Sequence, residues 1–513
     1  PANGGPPTGG AIQSMRASTV GTGTIWVGTN NGLIKVTHDG GKTWSDASIP
    51  GIPNVQRAEV FCVEPSHFDA AEAYAVLSLY RLGDYTPYVF RTRDSGKSWT
   101  RIAEGLATNQ PSGSFARVVR NDPLRRGLLF AGTESGMYVS FDDGDHWQSL
   151  QLDLPTTSYR DIALKDNDIV VSTYGRGFWA LDDYSMLRQV SSNVVSEAAH
   201  LFKPGDAIRT RSNVGADTPF PPEVPHALNP AQGVQLDYWL AQAPRGDMTL
   251  DVLDASGALV RHMSSAASTP VSEAARPPEP NFWIENPRPL PANVGGNRTN
   301  WDLRYDSPSA FTHSFEINAN PELTPASPEG PVAIPGTYTL KLTVDGKSYT
   351  QTVAIKPDPH SPATVAAITA QHALQMKLLQ GINTSFEGHR IAQALRDALH
   401  AAANGTPDAA AKANALAAQL DTIAGLSGGG RGRGRGGQGG TPNFQALNGA
   451  MVGQLNTQDL GDMAPTSAAL AAFGASCRDL NKTVATWQKI AAEAGAMKPA
   501  VSVPNGMLKP PTC

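Results

Sequence analysis

The feature that most narrows what this chain can fold into is an eight-residue pattern that returns three times. It appears as Thr37-His-Asp39-Gly-Gly41-Lys-Thr43-Trp44, Thr92-Arg-Asp94-Ser-Gly96-Lys-Ser98-Trp99 and Ser140-Phe-Asp142-Asp-Gly144-Asp-His146-Trp147. All three read Ser/Thr-x-Asp-x-Gly-x-x-Trp. The steps from Asp39 to Asp94 (55 residues) and from Asp94 to Asp142 (48 residues) mark a repeat architecture. The chemistry is that of a tight turn. A short carboxylate accepts turn amides, glycine supplies a positive φ, and an indole offers a large apolar body to a seam between sheets. Asp39, Gly41, Trp44, Asp94, Gly96, Trp99, Asp142, Gly144 and Trp147 are therefore read as turn-building residues, and catalysis is not assigned to the three aspartates.

Short apolar runs surround each turn. Thr24–Thr29 precedes Leu33–Val36, and Leu128–Thr133 precedes Met137–Val139; earlier strands are expected at Ala11–Met15, Ala58–Val63 and Ala116–Val119. With a strand after each Trp, every unit has four antiparallel strands, which is one propeller blade. A fourth unit follows at Tyr159–Leu164, Asp168–Thr173 and Gly177–Leu181, with Asp182-Asp183-Tyr184 where the next turn would begin and no fourth strand. The last blade is expected to be incomplete. An open blade leaves amides and carbonyls unpaired, so a partner chain or upstream segment is expected to complete the ring.

The motifs Arg57-Ala-Glu-Val-Phe-Cys-Val-Glu64-Pro-Ser-His-Phe-Asp69, Asp84-Tyr-Thr-Pro-Tyr-Val-Phe-Arg91, Gly132-Thr-Glu-Ser-Gly136 and Tyr174-Gly-Arg-Gly-Phe-Trp-Ala-Leu-Asp-Asp183 carry a family likeness. The chain resembles the C-terminal half of large bacterial BNR (Asp-box) repeat proteins, called sortilin-like or glycosyl-hydrolase-like. The resemblance is dense over the blades and weaker beyond them. It implies a mainly β chain: a partial Asp-box β-propeller of about four blades (1–190), an Ig-like β-sandwich with long Pro-rich loops (191–359), and a C-terminal helical hairpin or bundle (360–424 and 446–513) interrupted by a Gly/Arg-rich linker (425–445).

The residues beyond the blades support those divisions. Val234–Leu240, Met248–Leu253, Asn300–Arg304 and Thr337–Val344 alternate as half-buried strands do, and Asp345-Gly346 is a two-residue hairpin turn into Ser348–Ile355. Stretches 263–299 and 318–336 read as loops. Ser361-Pro362 is a helix start, with Val365, Ile368, Leu379, Ile382 and Phe386 on one face. Phe473, Cys477, Leu480, Val484 and Trp487 form an apolar stripe on a final helix.

Composition bounds the function. The chain has 513 residues with 50 Gly, 40 Pro, 17% charged residues and a formal net charge of −5, which suits several β-rich domains and offers no basic footprint for nucleic acid. The segment Gly428–Arg435 has arginines among glycines without the aromatics that stack bases, so it reads as a linker. No apolar run reaches the roughly 18 residues a membrane span needs. Of three cysteines, Cys62 sits in a core-like run, and Cys477 with Cys513 is a possible disulfide; no spacing suggests a metal, and no cofactor is expected. The chain opens at Pro1 without Met or a signal-like segment, so a processed or internal start is expected, and with the resemblance this implies a secreted, periplasmic or cell-surface protein.

Two functions stay open. One is a binding or scaffold protein that recognises a polypeptide or glycan. The other is a glycoside hydrolase, which needs two carboxylates roughly 5 to 9.5 Å apart in the funnel. Glu59, Glu64, Asp122 and Asp161 lie near innermost strands, with Glu59 and Asp161 the catalytic candidates, but none forms a sequence constellation. Arg81, Arg117 and Arg176 are present without a motif that groups them for carboxylate recognition.

Overall fold

The computed structural model describes residues 10–108, 114–211, 223–224, 227, 229–267, 284, 288–314, 325–403, 406–426, 442–498, 501–506 and 508–513. The Gly428–Arg435 segment lies outside them. Packing divides the chain into Pro1–Glu197 and Ala198–Cys513.

Among the described residues, the first unit holds four β-propeller blades in chain order. Blade one holds β1 (Ile12–Ala17), β2 (Ile25–Thr29), β3 (Ile34–Thr37) and β4 (Ser45–Asp46); blade two holds β5 (Glu59–Pro65), β6 (Ala73–Leu79), β7 (Asp84–Thr92) and β8 (Thr100–Arg101). Blade three holds β9 (Ala116–Asn121), β10 (Leu129–Thr133), β11 (Met137–Ser140) and β12 (Gln148–Ser149); blade four stops at three strands, β13 (Tyr159–Lys165), β14 (Asp168–Thr173) and β15 (Phe178–Leu181). The first strands pack in series, β1 on β5, β5 on β9 and β9 on β13, so they are the innermost strands. After β15 the chain does not form the repeated turn. Tyr184 is buried instead and donates its hydroxyl to Asp122 at 2.7 Å, and a short helix α1 (Ser192–Ser196) ends the unit.

The repeated turns share one hydrogen-bond pattern. The hydroxyl of Thr37, Thr92 or Ser140 donates to Oδ1 of Asp39, Asp94 or Asp142 at 2.8, 2.9 and 2.8 Å, and accepts the amide of Gly41, Gly96 or Gly144 at 3.0, 2.9 and 2.9 Å. The same Oδ1 takes the amide of Thr43, Ser98 or His146, at 2.9 Å each time. These bonds favour the ionised form. Asp39 and Asp94 are held down at about 2, chiefly by the hydroxyls of Thr43 and Ser98.

The indoles fasten neighbouring blades. Trp99 Nε1 donates to the Ala47 carbonyl and Trp147 Nε1 to the Ile102 carbonyl, each at 2.9 Å and each in the blade before. A Cβ on Gly96 would collide with Ala47, and one on Gly144 with Ile102, at backbone φ of +81° and +89°. Trp44 departs from the expected seam position. It is 44% exposed and its indole turns back to Gly41 O at 3.1 Å, because no described blade precedes it.

The second unit packs a sandwich against a helical bundle. One sheet orders β16 (Ala199–Leu201), β18 (Val234–Leu240) and β21 (Gly295–Trp301); the other orders β17 (Ala207–Arg209), β23 (Lys347–Pro357), β22 (Gly336–Val344), β19 (Thr249–Leu253) and β20 (Leu259–Ser264). Leu236, Tyr238, Leu250, Leu340 and Val353 fill the core between them. One loop assignment is corrected at both its ends: β20 ends, and β21 begins, inside the stretch 263–299. β21 stops at Trp301 because Leu303 takes φ +63°, a left-handed conformation that breaks extended pairing.

Among the described residues four helices follow, α2 (Val365–Ala402), α3 (Pro407–Ala424), α4 (Phe444–Gln458) and α5 (Ser467–Gly495). The start of α2 is corrected from Ser361-Pro362 to Val365. Thr364 is the cap, its hydroxyl accepting the Ala367 amide at 3.2 Å. Val365 is exposed, and the buried face runs through Ile368, Leu374, Leu378, Ile382, Ile391 and Leu395. The stripe on α5 is buried as expected, and Cys477 is bonded to Cys513 with Cα atoms 5.7 Å apart. No described helix is long and apolar enough to cross a membrane.

Two measurements follow from this packing. In urea, Trp147→Ala is expected to cost about 3 to 5 kcal/mol, while Trp44→Ala costs less than about 1 kcal/mol. In the second unit, burial and then Arg209 pull His372 from 6.5 down to about 4. The unfolded chain therefore binds more protons between those values, so stability falls as pH drops from about 6.5 to 4, by up to roughly 3 kcal/mol. His372→Gln flattens that slope in denaturation curves taken across this window.

Candidate functional site

Strand polarity divides the functional groups of the blades. In each four-strand meander the innermost strand starts, and the second-to-third turn lies, at one end of the blade axis; the Ser/Thr-x-Asp turns lie at the opposite end. Glu59, Arg81, Arg117, Arg160 and Arg176 all fall at the first end. The three arginines that no sequence motif connected are thus brought to one side.

All four innermost strands carry a bulge at one register position, between Ile12 and Ser14, Val60 and Cys62, Ala116 and Val118, and Tyr159 and Asp161. A bulge re-aims the extra side chain. The extra residues are Gln13, Phe61, Arg117 and Arg160. In blade three, Arg117 is enclosed: its guanidinium lies 4.5 Å from the Phe115 ring, 4.8 Å from Phe61 and 5.6 Å from Tyr80, and its Nε donates to Glu134 at 2.7 Å. Glu134 also takes the Ser158 hydroxyl at 2.8 Å. In blade four, Arg160 holds the matching position, but Tyr174 stands where Glu134 stood. Arg160 lies over that ring at 4.7 Å, exposed and without a carboxylate partner among the described residues; Arg176 is likewise exposed and unpaired there. Tyr85 stacks on Phe115 at 6.1 Å and, with Tyr174, leaves an aromatic face in water.

The acidic residues singled out from sequence are all engaged. Glu59 is buried and pairs with Arg81 at 2.6 Å. Asp122 is buried between Arg188 Nε at 2.8 Å, the Tyr184 hydroxyl and the amides of Leu124 and Arg125. Glu64 lies 3.2 Å from Arg120 and 3.7 Å from Arg16, and the other amino group of Arg120 bonds Asp161. Burial pushes the Glu64 carboxyl above its ordinary range even with Arg120 beside it. Sequence reasoning missed Arg120 altogether. It bridges three blades, through Cys62 Sγ at 2.9 Å, Glu64, Asp161 and the Ile162 carbonyl at 3.0 Å, and only the alignment of innermost strands in one register shows it. No group of three or more His, Cys, Asp and Glu residues among the described ones is placed to hold a metal.

No protein-family model matches the chain, and no curated protein does. Solved structures similar to parts of it include YCF48 from Cyanidioschyzon merolae, at 19% identity over 35% of this chain and 55% of that one, with TM-score 0.26. The GH74 xyloglucanase from Xanthomonas campestris matches at 12% identity over 66% of this chain and 55% of its own, with TM-score 0.27. PorZ, a surface component of the type-IX secretion system of Porphyromonas gingivalis, matches at 10% identity over 67% and 45%, with TM-score 0.25. The chain thus spans about half the length of each, and at these values the likeness carries no argument about this chain.

Arg120→Met leaves buried Glu64 with only the more distant, half-exposed Arg16 at 3.7 Å, and is expected to destabilise the chain by about 2 to 4 kcal/mol in urea denaturation. Arg160→Ala, on the surface, is expected to change stability by less than about 0.5 kcal/mol.

Proposed function

We propose that this chain belongs to a secreted, Asp-box, sortilin-like propeller protein that binds a polypeptide or glycan as a recognition or scaffold module, its ring completed by blades from an upstream segment or chain. The ligand meets the arginine- and aromatic-bearing end of the blade axis. One observation carries the reading. At that end Glu59 and Glu134 are locked to Arg81 and Arg117, while Arg160, Arg176, Tyr85 and Tyr174 face solvent. Paired acids serve poorly as general acid and base, whereas exposed guanidinium and aromatic faces are contact groups. The Cys477–Cys513 disulfide supports an oxidising compartment.

The glycoside-hydrolase reading keeps one supporting feature, because Glu64 is pushed toward the protonated state while Asp161 on the same arginine is 59% exposed. Retention on peptide and glycan arrays, with reducing-sugar release measured on the retained glycans, separates the two. Binding is expected to weaken at least about tenfold in an Arg160→Ala/Arg176→Ala variant and to fall with added salt, without sugar release. Undiminished binding by that variant sinks the proposal. Sugar release that disappears in Asp161→Asn moves the assignment to the hydrolase.

A further inference from the structure

Because the four blades share one register, each serves as a control for the others. The third-strand residues opposite Gly28, Val76, Gly132 and Ser172 are Ile34, Val89, Met137 and Phe178. The first three are buried, whereas Phe178 is 81% exposed. Ala180 is exposed where its counterparts Val36 and Val139 are buried. The first blade shows the reverse face. Met15 is 65% exposed, and its register equivalents Val63, Val119 and Ile162 are buried.

Charge follows the same register. The innermost-strand residues opposite Trp26, Tyr74 and Phe130 are Arg16, Glu64 and Arg120, so their sign alternates from blade to blade. Arg120 reaches back to Cys62 in the blade before, with Nη1 2.9 Å from the sulfur. The residue in blade four that matches Cys62 is Asp161, opposite Ser172 as Cys62 is opposite Val76. A blade set on blade four as blade three is set on blade two therefore brings its own Arg120 counterpart to Asp161.

We infer that the open face of blade four is a docking surface for a further blade of this repeat, one whose innermost strand presents a basic side chain to Asp161 and whose sheet lays apolar side chains over Phe178, Ala180 and Val170. The inference rests on the reading that further blades complete the arc, and it adds the chemistry they must carry. Continuity with three existing blade-to-blade interfaces and the unmatched exposure of Asp161 select this occupant.

This chain's own first blade has the required properties. Arg16 occupies the Arg120 position with its side chain 46% exposed, and Met15 lies beside it. A second copy of the full chain is therefore a usable probe, followed by sedimentation velocity from micromolar to sub-millimolar concentration. Reversible association is expected. Phe178→Asp, which touches no ion pair, and Asp161→Arg should each weaken it by about tenfold or more, and Asp161→Arg combined with Arg16→Asp should restore it. Near-ultraviolet circular dichroism confirms that each variant is folded. Association that ignores Phe178→Asp and Asp161→Arg overturns the inference. So does a chain that stays monomeric throughout, with this face bare or covered by another part of the chain. Ligand retention on the arrays is a separate readout, so loss of the binding reading is distinguishable from loss of this one.

Discussion

The indole N–H of Trp147 is satisfied by a carbonyl that belongs to the preceding blade, and the same is true of Trp99. A buried indole needs a partner for its single donor, so the last residue of each repeated turn is committed to its neighbour while the aspartate is committed to its own turn. Folding within a blade and adhesion between blades are thereby joined in eight residues. The glycine makes this possible, since a side chain at Gly96 or Gly144 would hold the neighbouring strand away. Trp44 shows the device without its counterpart: the turn forms in full, and the indole is left to close on itself.

Much of this was legible in the sequence because it is local. The repeated turns, the positions of most strands, the three-strand last blade, and the Asp345-Gly346 hairpin with left-handed φ of +48° and +79° all follow from patterns within about a dozen residues. What was not legible depends on register between distant strands. Arg81, Arg117 and Arg176 looked scattered because their common side is set by strand direction. Arg120 gave no signal because its partners Cys62, Glu64 and Asp161 belong to two other blades. The helix boundary at Thr364 was missed for a different reason: Ser361-Pro362 is an adequate start in isolation, and a cap three residues later won.

In the second unit, charge joins what apolar packing alone leaves loosely specified. Arg209 and Arg211 from the sandwich side meet Asp462, Arg211 also meets Asp459 at 2.7 Å, and Arg304 meets Asp459 at 2.9 Å. These groups are largely buried, so the pairs fix orientation more than they add stability. Sandwich and helices consequently form one compact unit where the sequence suggested separate segments.

The disulfide at Cys513 has a mechanical meaning. Cys513 is bonded to Cys477 on α5, and the segment leading to it meets α2, where Thr384 and Gln380 donate to the Lys509 carbonyl at 2.8 and 3.1 Å. Held by those hydrogen bonds alone, such a segment would peel from α2 one weak contact at a time. The disulfide changes the order of loading: tension applied at Cys513 passes through the covalent bond into α5, and the contacts on α2 are not loaded first.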